Sequence, residues 1–99
     1  MKQERTATEV EILRIGNDHS QPVQFHLEPW GELLSISPDT AFEVVAEGPP
    51  GDYLEVRFRE GHITVYGWSG SVVSVFQEGT LLRECKIPVP ATPPRQPAP

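Results

Sequence analysis

The chain has 99 residues with 14 acidic and 8 basic side chains, a formal net charge of −6, and its length allows one domain. The basic residues are scattered, whereas a phosphate backbone or an anionic membrane binds clustered Lys and Arg, so neither partner is expected. The N-terminal residues lack an apolar signal region, no stretch approaches the ~20 apolar residues of a membrane span, and the single cysteine excludes an internal disulfide, so we expect a soluble, cytoplasmic protein.

Apolar and polar residues alternate along most of the chain. The period of two is clear at Phe25 and Leu27, and it recurs at Leu54, Val56 and Phe58. Such spacing places the apolar side chains on one face of a β-strand, toward a core. Because short breaks of Gly, Pro, Asn or Asp separate the runs, the pattern predicts an all-β protein, a single antiparallel β-sandwich or jelly-roll-like domain of about eight short strands.

The first predicted strand, residues 8–15, is apolar on both faces. Val10 and Ile12 share one face, whereas Leu13 and Ile15 share the other. This change of phase predicts either a bulge or a strand that is covered on both sides.

The remaining strands are predicted at similar intervals along the chain. The domain is expected to end at residue 87. Glycine in a two-residue connection, as at Glu60-Gly61 and Glu78-Gly79, predicts a β-hairpin. These later strands are predicted at residues 22–28, 32–37, 41–47, 53–59, 62–67, 71–77 and 80–87.

Residues 88–99 are so rich in proline that we expect a disordered tail outside the 8–87 domain. Proline fixes φ and favours an extended polyproline II conformation. The segment is therefore either an ordinary terminus or a ligand for an aromatic groove.

The candidate ligand site centres on the segment from His26 to Glu32. If alternate residues of this strand face the core, His26 and Glu28 lie on the other face, and Trp30 and Glu32 follow at the strand end. Together with Trp68, which has glycines nearby, they supply indole rings that stack on a sugar and carboxylates that accept hydroxyl hydrogen bonds. Such a site requires that the two tryptophans meet. Otherwise each indole is a local plug with its N–H bonded to a carbonyl, and the carboxylates are solvated edge charges.

No motif identifies a reaction. A metal triad of His26, Glu28 and His62 needs His62 on a neighbouring strand, and three exposed histidines are the alternative. The chain lacks a phosphate-binding loop and the Gly-x-Ser-x-Gly nucleophile motif, and Cys85 is interpreted as a structural thiol. We therefore expect no cofactor and no catalysis.

Several segments together carry a resemblance to a known group of proteins. They are Phe25-His-Leu-Glu-Pro-Trp-Gly-Glu32, Ser37-Pro-Asp39, Phe42-Glu-Val-Val-Ala-Glu-Gly-Pro49 and Gly67-Trp68. This pattern resembles small uncharacterised bacterial β-proteins in which an LEPWGE segment precedes a V-x-A-x-G-P strand end. The resemblance covers most of residues 10–80. It implies a compact β domain to which the Trp-Gly corners belong, and it implies no activity.

Three hypotheses for function follow from these observations. The first is a non-catalytic β-sandwich protein that binds a protein partner or forms a homo-oligomer, because its modest core gains from a covered face. The second is a small-ligand or carbohydrate-binding domain that uses Trp30 and Trp68. The third is a cupin-like metal-dependent enzyme.

Overall fold

The computed structural model describes residues 8–91 as eight β-strands in two sheets, which confirms the predicted all-β fold. No helix in this range is long and apolar enough to cross a membrane. Residues 1–7 and the part of the predicted tail from 92 onward lie outside the described residues. The strands are β1 (Glu9–Asn17), β2 (Val23–Glu28), β3 (Glu32–Ile36), β4 (Thr40–Gly48), β5 (Glu55–Arg59), β6 (His62–Tyr66), β7 (Val72–Gln77) and β8 (Thr80–Cys85).

Each sheet has four strands. Sheet A has the order β1-β4-β7-β8, and sheet B has the order β3-β2-β6-β5. Hairpins join β2 to β3, β5 to β6 and β7 to β8. The predicted turn at Glu78-Gly79 has positive φ at both residues, 49° and 81°, as a type I′ turn requires. The connections from β3 to β4, residues 37–39, and from β6 to β7, residues 67–71, pass instead from one sheet to the other.

One pairing departs from the antiparallel prediction. Strands β2 and β6 lie parallel, with Gln24 opposite His62 and Glu28 opposite Tyr66. The other pairings within the described range are antiparallel. Hairpins give antiparallel neighbours by necessity, whereas β2 and β6 belong to different hairpins, so turn chemistry leaves their relative direction open.

The core lies between the inner faces of the two sheets. Phe25 of sheet B meets Phe42 of sheet A edge to face, with ring centroids 5.4 Å apart and an interplanar angle of 90°. Edge-to-face packing suits the ring quadrupoles and adds about 0.5–1.5 kcal/mol to the free energy of burial. Around this pair pack the buried side chains of Leu27, Ile36, Val44, Ala46, Ile63, Val65, Val73 and Val75.

Strand β1 runs two residues further than predicted, and its end is held by a buried amide. Asn17 is 4% exposed. Its Nδ2 donates to the carbonyl oxygens of Gln21 and Ile36, both at 2.9 Å, and its Oδ1 accepts a hydrogen bond from the His19 N–H at 2.7 Å. The amide therefore ties β1 to the β1–β2 loop and to the end of β3.

The change of phase in β1 has neither of the predicted causes. The β1–β4 register is continuous over the whole strand. Leu13 and Ile15 face the core, whereas Val10 and Ile12 face outward and are 56% and 66% exposed. Sheet A therefore carries apolar side chains on a face that the described residues leave uncovered.

The prediction that Phe58 is a core residue is wrong. Its ring is 75% exposed, although Leu54 and Val56 of the same segment pack against the core. Phe58 lies beside Ile63 on the inner side of sheet B. Because β5 is an edge strand, this side chain reaches only the margin of the core.

We expect Asn17→Ala to lower the free energy of unfolding by about 2–4 kcal/mol, because the buried carbonyl of Ile36 and the partly buried carbonyl of Gln21 lose their donor. The neighbouring Asp18→Ala is the control, since Asp18 is exposed. Chemical denaturation of both variants measures the difference, and an equal loss in the two would contradict this account of Asn17.

Candidate functional site

Trp30 and Trp68 lie at the same end of the sandwich, here called the Trp end. The parallel pairing puts the last residues of β2 and β6, Glu28 and Tyr66, side by side. The next residue, Gly67, then donates its N–H to the Glu28 carbonyl oxygen at 3.0 Å. Besides these strand ends, the Trp end comprises loops 29–31, 49–54 and 67–71 and residues 86–89.

Trp68 closes this end of the core. Its side chain is 4% exposed, and its Nε1 donates to the Pro49 carbonyl oxygen at 2.8 Å. Its backbone N–H donates to the buried hydroxyl of Ser71 at 2.9 Å. The indole therefore links the β6–β7 loop to the end of β4 and offers little free surface.

Trp30 is half-buried and holds the chain that follows β8. Its Nε1 donates to the Ile87 carbonyl oxygen at 2.7 Å. The indole lies so close to Gly67 that a Cβ there would come within 2.6 Å of Trp30 Cη2. Farther along, the Val89 backbone exchanges hydrogen bonds with Gly70 and Ser71 at 2.8 and 3.1 Å. Contacts of the domain thus continue into the first residues of the predicted tail.

The two carboxylates of the predicted ligand site point to different surroundings. Glu32 forms an ion pair with Arg83 of the other sheet, with Oε1 and Nε 3.1 Å apart. Glu28 lies in the outer row of sheet B, opposite Tyr66. The tryptophans share one end of the sandwich, but both indole N–H groups and the Glu32 carboxylate already have partners within the chain. A carbohydrate site at these residues stays a prediction.

The sheet brings two of the three predicted metal ligands together. His26 and His62 lie on the outer face of sheet B with ring centroids 4.8 Å apart and an interplanar angle of 30°. The Nε2 atom of His26 is buried and has no hydrogen-bond partner among residues 8–91. Glu28 lies two residues beyond His26, on the side away from His62. Across the same residues, no group of three or more His, Cys, Asp or Glu side chains is arranged to hold a metal ion.

Cys85 is a buried thiol at the end of β8, opposite Val73. Burial raises its pKa, and the nearby Glu32 carboxylate raises it further, while Arg83 acts in the opposite direction. Since the thiolate is the nucleophile, this environment keeps the sulfur in its unreactive form.

A cleft of about 340 Å³ opens at the Trp end. Two exposed phenol rings, Tyr53 and Tyr66, stand in its wall with the carboxylates of Asp52 and Glu55. Trp68, Ser69 and Val89 also line it. The sequence prediction missed this cleft, because Tyr66 is brought beside the start of β5 by the pairing of Glu55 with Tyr66, which the sequence does not reveal.

The second surface that the prediction missed is here called the outer apolar face, on the solvent side of sheet A. Cross-strand pairing places Ile12 beside Val45 and Phe76 beside Leu81, and Val45 is the diagonal neighbour of both Val72 and Phe76. Glu43, Glu47 and Ser74 lie among these apolar side chains. The feature of the sequence that could have indicated this face is the second set of alternating apolar residues in β1, Val10 and Ile12. The face consists of Val10, Ile12, Val45, Val72, Phe76 and Leu81.

Comparison with known proteins adds no relative. No protein-family model matches the chain, and searches of curated proteins and of solved structures find no significant match. The resemblance to small bacterial β-proteins therefore stays a prediction.

We expect Gly48→Ala to lower the free energy of unfolding by about 2–3 kcal/mol through overpacking at the Trp end. A Cβ at this position would lie 2.7 Å from Ser71 Cα and 3.0 Å from Trp68 Nε1. Because Ser71 Cα is a backbone atom, it cannot move away by a side-chain rotation. Gly16→Ala is the matched control, because its Cβ would meet only ordinary contacts at 3.8 Å. Thermal denaturation of both variants tests this expectation. Similar melting temperatures for the two would count against tight packing around Gly48.

Because the folded state keeps the Cys85 thiol protonated, we expect stability to fall as the pH rises through the ordinary thiol pKa of about 8.5. Above that pH only the unfolded chain releases the proton. Urea unfolding at a series of pH values should show this decline in the wild type and a smaller one in Cys85→Ala. Equal slopes for the two proteins would refute the assignment.

Proposed function

We propose that this protein is a non-catalytic β-sandwich module that acts by protein–protein contact, with the outer apolar face as its contact surface and a second copy of the chain as its partner. The observation that carries the proposal is the exposure of this face. Val10, Ile12 and Leu81 are 56%, 66% and 47% exposed around a half-buried centre. A solvated sheet face normally presents polar side chains, and a cluster of exposed apolar side chains is typical of an interaction site.

The size of the face favours weak association. Strands lie about 4.8 Å apart and rise about 3.3 Å per residue, so four strands of about six residues present roughly 400 Å². Stable interfaces bury about 800 Å² per partner. A dimer formed through this face alone is therefore expected to dissociate in the micromolar range or above, which suits a reversible contact.

The border charges favour one arrangement of a self-complementary pair. Sheet A carries Arg14 on β1 and Glu84 on β8, at opposite edges of the outer face. In a dimer with its two-fold axis along the strands, β1 of each copy lies over β8 of the other. Arg14 then lies over Leu81 of the second copy, two residues along the strand from the level of Glu84, which its long side chain can reach. Within residues 8–91, Arg14 forms a long contact with Glu43, 3.9 Å between Nη1 and Oε2, and Glu84 lies 3.6 Å from Lys86. Both pairs are exposed, so exchange of partners costs little.

We expect Val45→Arg to abolish self-association, because Val45 lies on the inner strand β4 and the change places a charge in the middle of the contact. Ser35→Arg is the control, since Ser35 is exposed on sheet B and adds the same charge elsewhere. Sedimentation equilibrium from micromolar to millimolar concentration measures both variants and the wild type. A wild type that stays monomeric throughout would overturn the proposal.

The orientation has its own test by charge exchange. Arg14→Glu and Glu84→Arg should each weaken the dimer by about two- to fivefold, and the double variant should restore it, as expected for a solvent-exposed ion pair. Additive weakening in the double variant would reject this arrangement of the two copies and leave the contact surface itself intact.

A further inference from the structure

The cleft at the Trp end combines features that suit an extended peptide. The rings of Tyr53 and Tyr66 are 68% and 39% exposed, so each offers an open face. Trp68 forms part of the lining, and the cleft ends against Val89. Aromatic rings that stand around a shallow cleft bind polyproline II segments, which are already extended when free and lose little entropy on binding.

The same end of the molecule already holds a proline-containing segment of the chain. The Trp30 indole donates to the Ile87 carbonyl oxygen at 2.7 Å. Two residues further on, the Val89 carbonyl oxygen accepts from the Gly70 N–H at 2.8 Å, and the Val89 N–H donates to Ser71 at 3.1 Å. Pro88 lies between these contacts. An indole N–H and loop amides therefore bind the backbone of an X-Pro segment beside the cleft.

The charge of the cleft indicates what kind of peptide it accepts. Glu55 is paired with Arg57, with Oε2 and Nη2 2.6 Å apart. Asp52 uses Oδ1 to accept the Tyr53 N–H at 2.8 Å, and it has no ion pair with any residue in the range 8–91. A carboxylate without a cation, next to two phenol rings, favours a guanidinium, which pairs with the carboxylate and stacks on the rings.

We propose that this cleft binds a proline-rich, arginine-bearing peptide segment of another molecule. Its proline rings lie against Tyr53 and Tyr66, and its guanidinium pairs with Asp52. The proposal does not depend on the outer apolar face, which lies on a different surface of the sandwich.

The probe is a synthetic peptide with the sequence of residues 92–99, TPPRQPAP, which has the required composition. Titration into the full chain, followed by two-dimensional NMR, should shift the amide signals of Tyr53, Tyr66 and Gly67. Replacement of the arginine of the probe by glutamate should weaken binding by about tenfold, because attraction becomes repulsion. Added salt should weaken binding of the unchanged peptide.

The matched protein variants are Asp52→Asn and Asp18→Asn. Asp52→Asn keeps an oxygen for the Tyr53 N–H and loses only the charge, so the fold is expected to survive while affinity falls by about fivefold. Asp18 is exposed at the opposite end of the sandwich, and its variant should bind as the wild type does. Unchanged shifts on addition of the peptide, or equal affinity for both peptides, would overturn the proposal. If only a chain shortened to residue 91 binds, the occupant is residues 92–99 of the same chain, and docking of another molecule is rejected.

Discussion

The parallel pairing of β2 with β6 is the constraint on which the Trp end of this molecule depends. It makes the two strands finish together, so that their Trp corners meet across the hydrogen bond from Gly67 to Glu28. An antiparallel pairing would send the two corners to opposite ends of the sheet, where each indole would need other partners. The cleft between Tyr53 and Tyr66 follows from the same arrangement, because β6 ends at Tyr66 beside the start of β5.

The two Trp corners can lie together because backbone and indole rings approach each other closely at this end. Gly48 and Gly67 have no room for a Cβ, since Ser71, Trp68 and Trp30 occupy that space. Each indole N–H is then satisfied by a carbonyl that has no strand partner, Pro49 for Trp68 and Ile87 for Trp30. The tryptophans therefore hold loops against the sandwich. The accessible surface of the Trp end is provided by tyrosines and carboxylates instead.

The two sheets differ in what they present to the surroundings. Sheet B shows histidines, arginines and Thr64 on its outer side, whereas sheet A shows the outer apolar face. A small domain buries a limited fraction of its surface, and covering an apolar sheet face with another copy adds burial that the single chain lacks. The two proposed contacts, one through sheet A and one at the Trp end, can thus operate on the same molecule without competing for residues.

The strands and most of the core could be predicted from the sequence, because period-two alternation acts over neighbouring residues and does not depend on the rest of the chain. Glycine turns likewise indicated the hairpins at Gly61 and Gly79. Three features are visible only in the folded chain: Phe58 lies at an exposed edge, the outward stripe of β1 joins an apolar face, and Trp30 and Trp68 share one end. Each of these depends on which strand lies beside which and in what direction, and that is set by packing between residues far apart in the chain.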